Sequence, residues 1–163
     1  MKVHRGLVHK YLGMTLDFST KRQVKISMTD YVREIVEAWD RAELEANDGF
    51  IEKKVRKSRN RTSAAPEDLF KIDEDAAKLS KEQATKFHNI VAKALYVSKR
   101  ARPNTSVAVA FLTTWVREPD VDYWKKLKNL IDYLRATKDL PLILGADNTG
   151  VMEWFVDASF AVH

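Results

Sequence analysis

The sequence predicts an α+β fold, and three observations carry that prediction. Short segments rich in β-branched and aromatic residues stand towards both ends of the chain, at 8–18, 24–28, 142–144 and 151–157. Between them, apolar residues recur every three or four positions in four longer runs, as amphipathic helices require. Polar or proline-containing connectors separate the runs. With 163 residues, 45% of them apolar and 31% charged, the chain has the length of one ordinary domain or of two partial ones, and a composition that folds.

Residues 8–18 and 24–28 read as two strands joined by the polar turn 19–23, an N-terminal β-hairpin. Ser27 is placed to cap the helix that follows, with Asp30 as its reciprocal partner three residues on. Tyr31, Ile35, Val36 and Trp39 then mark one buried helical face. The pattern stops after Ala46. Lys53, Lys54, Arg56, Lys57, Arg59 and Arg61 follow with a single aliphatic residue among them, which fits a mobile linker, a nucleic-acid patch or a nuclear address alike. Structure resumes at Ser80, a cap paired with Gln83, and a helix runs to about Ala101, where Arg102-Pro103 ends it. Its inward stripe is Ala84, Phe87, Val91, Ala94, Leu95 and Ser98. A second helix over 105–116 offers Val107, Ala108, Phe111, Leu112 and Trp115. A third begins after Asp120 or Asp122 and buries Tyr123, Leu127, Leu130, Ile131 and Leu134. Short connections make these a compact three-helix unit. Segments 142–144 and 151–157, on either side of the turn Asp147-Asn148-Thr149-Gly150, suggest a C-terminal β-hairpin.

Composition narrows the chemistry. Without cysteine there is no disulfide framework, thiolate metal site or cysteine nucleophile, which fits a reducing compartment. No early apolar run resembles a secretion signal and no stretch has the length of a bilayer span, so an intracellular location, cytoplasmic or nuclear, is expected, with no membrane partner. His4, His9, His88 and His163 lack metal-ligand spacing, and five glycines form no phosphate-binding loop. The net charge of +5 and pI near 9.3 suit a polyanionic partner, nucleic acid before an acidic membrane surface, as well as a merely basic surface. Trp115, Trp124 and Trp154 can stack on bases, but their helical and strand positions favour packing. Asp157 is a lone carboxylate in an apolar β-pattern, a position that asks for solvent, a partner or a metal.

Lys86, Lys93 and Arg100 lie seven residues apart on the first of the three helices, so they point almost the same way, drifting by ~20° per step. The row is about 21 Å long at 1.5 Å per residue, comparable to several phosphate spacings. Lys99 and Arg102 add charge at its C-terminal end. Lys125, Lys128 and Arg135 repeat the arrangement on the third helix. Two neighbouring basic helices point to sequence-independent contact with phosphates.

With those residues laid out, the chain resembles the Pol polyprotein of copia-type LTR retrotransposons. The matching blocks are Lys10-Tyr-Leu-Gly-Met14, Ile26-Ser-Met-Thr-Asp-Tyr31, Phe87-His-Asn-Ile-Val-Ala-Lys-Ala-Leu-Tyr96, Lys99-Arg-Ala-Arg-Pro103, Ala108-Val-Ala-Phe-Leu112, Asp132-Tyr-Leu-Arg-Ala-Thr137 and Trp154-Phe-Val-Asp-Ala-Ser-Phe-Ala-Val-His163. The resemblance implies residues 1–45 as the end of a reverse-transcriptase palm, 46–78 as a basic linker, 79–138 as a thumb-like unit and 139–163 as the first strands of a truncated RNase H domain. It implies that Tyr11, Leu12, Gly13 and Met14 form a primer grip. Gly13 there permits close backbone approach or simply eases a bend. The row of Lys86, Lys93 and Arg100 would track the template–primer backbone, and Asp157 would be a vestigial RNase H carboxylate, a Mg²⁺ ligand only in an intact site.

The departures also count. The Tyr-x-Asp-Asp polymerase hairpin is not found in this chain, nor are the RNase H acids that would follow His163, and Asn104 stands where family members often have Asp. A truncated or degraded copy, or a partial gene model, is expected, with RNA–DNA or DNA duplex and the remainder of a Pol polyprotein as expected partners and with no cofactor and no catalysis of its own. Two other readings stay open: a residual nuclease using Asp157 with Mg²⁺, and an inert structural remnant.

Overall fold

The computed structural model describes residues 5–46, 62–147 and 149–151. The basic run 52–61, the arm 152–157 of the expected C-terminal hairpin, and Asp157 itself lie outside the described residues.

A four-stranded antiparallel sheet, in the order β1-β2-β3-β4, and four helices make the expected α+β architecture. The strands are β1 (Val8–Tyr11), β2 (Met14–Asp17), β3 (Gln23–Ser27) and β4 (Leu142–Gly145). The single strand expected over 8–18 is instead two strands folded on each other, with Val8 opposite Asp17 and Tyr11 opposite Met14. Leu12 and Gly13 form the two-residue turn, with φ of 48° and 78°. Two successive positive φ angles are what a tight hairpin matched to strand twist needs. Glycine suits the second position. Leucine is an unusual choice for the first, because its Cβ crowds the following carbonyl there.

The helices are α1 (Thr29–Ala46), α2 (Lys81–Arg100), α3 (Ser106–Thr114) and α4 (Val121–Ala136), with a 3₁₀ turn at Pro103–Thr105 leading into α3. Ser27 does not cap α1: it is the last residue of β3, opposite Thr15, and the helix starts two residues later. Ser80 and Gln83 do make the reciprocal capping box, each accepting from the other's backbone N–H at 3.2 Å. Asp120 caps α4 by accepting from the N–H groups of Asp122 and Tyr123, both at 3.0 Å.

One core joins all four helices. Val32, Ile35 and Trp39 of α1, Phe87, Ile90, Val91 and Val97 of α2, Ala108 and Leu112 of α3, and Leu127, Leu130 and Ile131 of α4 are essentially inaccessible to solvent. Trp39 and Trp124 meet with ring centroids 4.7 Å apart, and Trp115 stacks on Tyr123 at 4.5 Å, so both Trp115 and Trp124 pack against protein. Val107, expected inside, is 55% exposed, and Val109 takes its place. The helix before residues 47–80 and the three after them thus bury the same apolar surface.

β4 gives the sheet its other long-range tie. It appears where a strand was expected, but its partner is β3, with Gln23 opposite Gly145 and Ile26 opposite Leu142. Residues 142–145 therefore return to the N-terminal strands.

Candidate nucleic-acid interface

The β1–β2 turn is pinned to α2. The Tyr96 hydroxyl donates to the Leu12 carbonyl at 2.8 Å, across 84 residues of sequence. Tyr31 of α1 packs beside Tyr96, ring centroids 5.2 Å apart. A Cβ built on Gly13 would rest 3.6 Å from Tyr31 and from Met28, an ordinary contact, so the positive φ and not a lack of space accounts for the glycine. Burial pushes the Tyr31 hydroxyl above its ordinary pKa, helped by Tyr96 and Glu34 and opposed by Arg100. The tip so fixed presents Tyr11 and Leu12 outward, 60% and 56% exposed.

Arg100 lies on the same aromatic pair. Its guanidinium carbon is 3.7 Å from the Tyr96 ring centroid and Nη1 donates to the Tyr96 carbonyl at 3.4 Å. A flat, weakly hydrated cation over an aromatic face keeps the outer side of its plane available to an anion. Lys99, the preceding residue, is exposed. The structure therefore brings the hairpin-tip residues Tyr11, Leu12, Gly13 and Met14 together with the cationic end of α2.

The remaining cations do not form the outward row that their spacing suggested. Lys86 donates to Glu82 at 2.8 Å and pairs with Glu45 of α1 at 2.5 Å; those two carboxylates hold its ammonium pKa above the ordinary value. Lys128 pairs with Glu43 at 2.7 Å. Arg135 makes a two-pronged bond to Asp40, at 2.6 and 3.0 Å, which raises its already high pKa further. The reason is topological: α1 lies alongside α2 and α4 and sets an acidic edge against them. Lys93 lies in the trough between α1 and α2. Lys125 is exposed near the start of α4, about 18 Å along the helix from Thr137.

Arg102, read from the sequence as a phosphate contact, is inside. Only 2% of it is exposed, and its guanidinium donates to the Thr137 carbonyl at 2.9 Å, the Thr137 hydroxyl at 2.6 Å and Asn104 Oδ1 at 3.2 Å. It closes the C-terminal end of α4 against the end of α2. Asn104 also donates to the Tyr133 hydroxyl, so it serves as the neutral companion of a buried cation.

Sequence reasoning gave no role to Tyr96 or to Lys126. A tyrosine beside an apolar stripe is the only local sign of the first. Lys126 is 4% exposed, with its ammonium on Asp122 at 2.7 Å and on the Lys71 carbonyl, and nothing in the periodicity marks it as buried. Among the described residues no cluster of histidine or acidic side chains has the arrangement to hold a metal ion. Nor is any described helix long and apolar enough to cross a membrane.

Two curated proteins align with the chain. A Saccharomyces cerevisiae protein named for transposon Ty5-1 is 23% identical over 159 residues, 97% of this chain and 46% of the yeast protein. A retrovirus-related Pol polyprotein from transposon RE2 of Arabidopsis thaliana is 32% identical over 77 residues, 47% of this chain and 5% of the plant polyprotein. Both similarities support a retrotransposon Pol origin. The chain spans about half the length of the yeast relative and a small part of the plant one. No protein-family profile matches it, and no solved structure matches it significantly.

Proposed function

We propose that this chain is the primer-grip and thumb portion of a copia-type reverse transcriptase and that it binds template–primer duplex, RNA–DNA or DNA, through the phosphate backbone. The observation that carries the reading is the bond from Tyr96 to Leu12, which sets an exposed hairpin tip beside a cationic helix end. Tyr11, Leu12, Gly13, Met14, Lys99 and Arg100 are the contacts, with Lys93 and Lys125 as outlying charges. Lys86, Lys128, Arg135 and Arg102 support the scaffold and leave the contact set. Asp157 takes no part in the binding proposed; it and the Mg²⁺ it would ligate belong to an intact RNase H site.

Contacts of this kind neutralise phosphates and release counterions, so affinity falls steeply with salt. Fluorescence anisotropy with labelled RNA–DNA and DNA duplexes tests the reading. Micromolar or weaker binding is expected at about 50 mM salt, reduced by some 10-fold or more at about 200 mM. Lys99→Glu with Arg100→Glu should abolish it. An observation also favours a second reading, an inert remnant: Lys86, Lys128 and Arg135 are neutralised by α1. Absence of duplex binding at low salt by a folded chain would decide for it.

A further inference from the structure

The trough between α1 and α2 has the form of a helix-docking groove. On α1, Ala38 and Ala42 lie four residues apart, as do Arg41 and Glu45 beside them, along one side of the helix. On α2 the facing ridge includes Lys86, Ile90 and Lys93, and together the two helices line an open trough of about 560 Å³. Ala38, Ala42 and Ile90 make an apolar floor, and two of them are alanines, so a third backbone can approach closely. The rims are charged and net positive. Glu45 shares the Lys86 ammonium with Glu82, at 2.5 and 2.8 Å, whereas Arg41 and Lys93, on opposite rims, have no ion pair or hydrogen bond among the described residues.

We infer that this groove receives an amphipathic α-helix of a partner protein, with a narrow stripe of small apolar residues facing Ala38, Ala42 and Ile90 and acidic residues on both flanks facing Arg41 and Lys93. Burial of the stripe supplies affinity, and the two flanking charges fix orientation and exclude basic helices. A sugar–phosphate strand fits less well, because it would lay anionic, hydrated oxygens on the apolar floor. The inference shares only Lys93, an outlying charge, with duplex binding, whose contacts lie at the C-terminal end of α2.

The probe is a labelled peptide of about 15 residues, with Ala and Leu at three- and four-residue spacing and Glu on both flanks, beside a twin carrying Lys in place of Glu. The intact chain should bind the Glu peptide and not the Lys peptide. Arg41→Glu with Lys93→Glu should weaken the Glu peptide by about 10-fold or more and create binding of the Lys peptide, a gain that a misfolded variant cannot give. No binding of the Glu peptide at about 1 mM, or equal binding of both peptides to both proteins, would overturn the inference. So would a DNA duplex that displaces the peptide and loses affinity in the double variant, which would make the groove a phosphate track.

Discussion

Arg102→Ala and Arg100→Ala remove the same charge two residues apart, and the structure assigns them opposite consequences. Arg102 is 2% exposed and makes three hydrogen bonds, at 2.6, 2.9 and 3.2 Å, to neutral acceptors. Truncation removes the donor from the half-buried Thr137 carbonyl and hydroxyl and from the Oδ1 of exposed Asn104, at roughly 1 kcal/mol for each bond lost. It also leaves a void where the stem packed. The sum is partly offset by release of a desolvated cation, so a net loss of about 3 kcal/mol is expected. For a chain of this size that lowers Tm by roughly 6–12 °C. Circular dichroism melts measure it, and duplex anisotropy below the lowered Tm should be unchanged. Arg100, stacked on the exposed side of Tyr96, should behave the other way. Its removal should leave Tm within about 2 °C and reduce the dependence of log affinity on log salt by about 1. If Arg102→Ala instead melted like the parent and lost duplex affinity, its guanidinium would have to reach solvent, and the account of the α2–α4 junction would fail.

Tyr96→Phe deletes one hydrogen bond to Leu12 and should cost about 1 kcal/mol, with faster amide exchange at Gly13 and Met14 read by hydrogen–deuterium exchange; unchanged exchange would mean that the turn holds itself. Gly13→Ala should cost about 1 kcal/mol through its positive φ alone, since the new methyl finds ordinary contacts; a loss well beyond that in urea titration would point to a clash that the geometry does not contain. In acid, Asp17 and Glu82 have folded pKa values below their ordinary 3.8 and 4.5, Asp17 chiefly through its bonds from Ser19 and Glu82 through Lys86. Their contribution is therefore complete above those ordinary values and is lost as pH falls below them. A shallow decline of Tm below about pH 4 should flatten in Glu82→Gln, and an unaltered slope would remove that carboxylate from the account.

Much of the local structure could be read from the sequence because local chemistry determines it. Ser80 with Gln83 and Asp120 ahead of α4 are caps whose partners lie within three residues. Leu12-Gly13 was missed because leucine is not a turn residue for two positive φ angles; a hydroxyl 84 residues away compensates for it, and no local pattern contains that fact. Ser27 failed as a cap because strand pairing with Thr15 claimed it first. Spacing along each helix carries no information on what faces the cations. Helical periodicity tells which side of α2 and α4 is polar, but Asp40, Glu43 and Glu45 come from a different helix, placed there by the burial of Trp39.

That burial also constrains how the molecule can be divided. Trp39 and Ile35 are wholly covered by helices that begin more than thirty residues later, and β3 is completed by β4 near the far end of the described chain. An excised 79–138 segment would expose a greasy scar where α1 belongs and should precipitate. By contrast, a protease cut between Ala46 and Thr62 should leave two pieces that travel together through a sizing column. The protein is better partitioned as interlocking strands of one knot than as beads along a string.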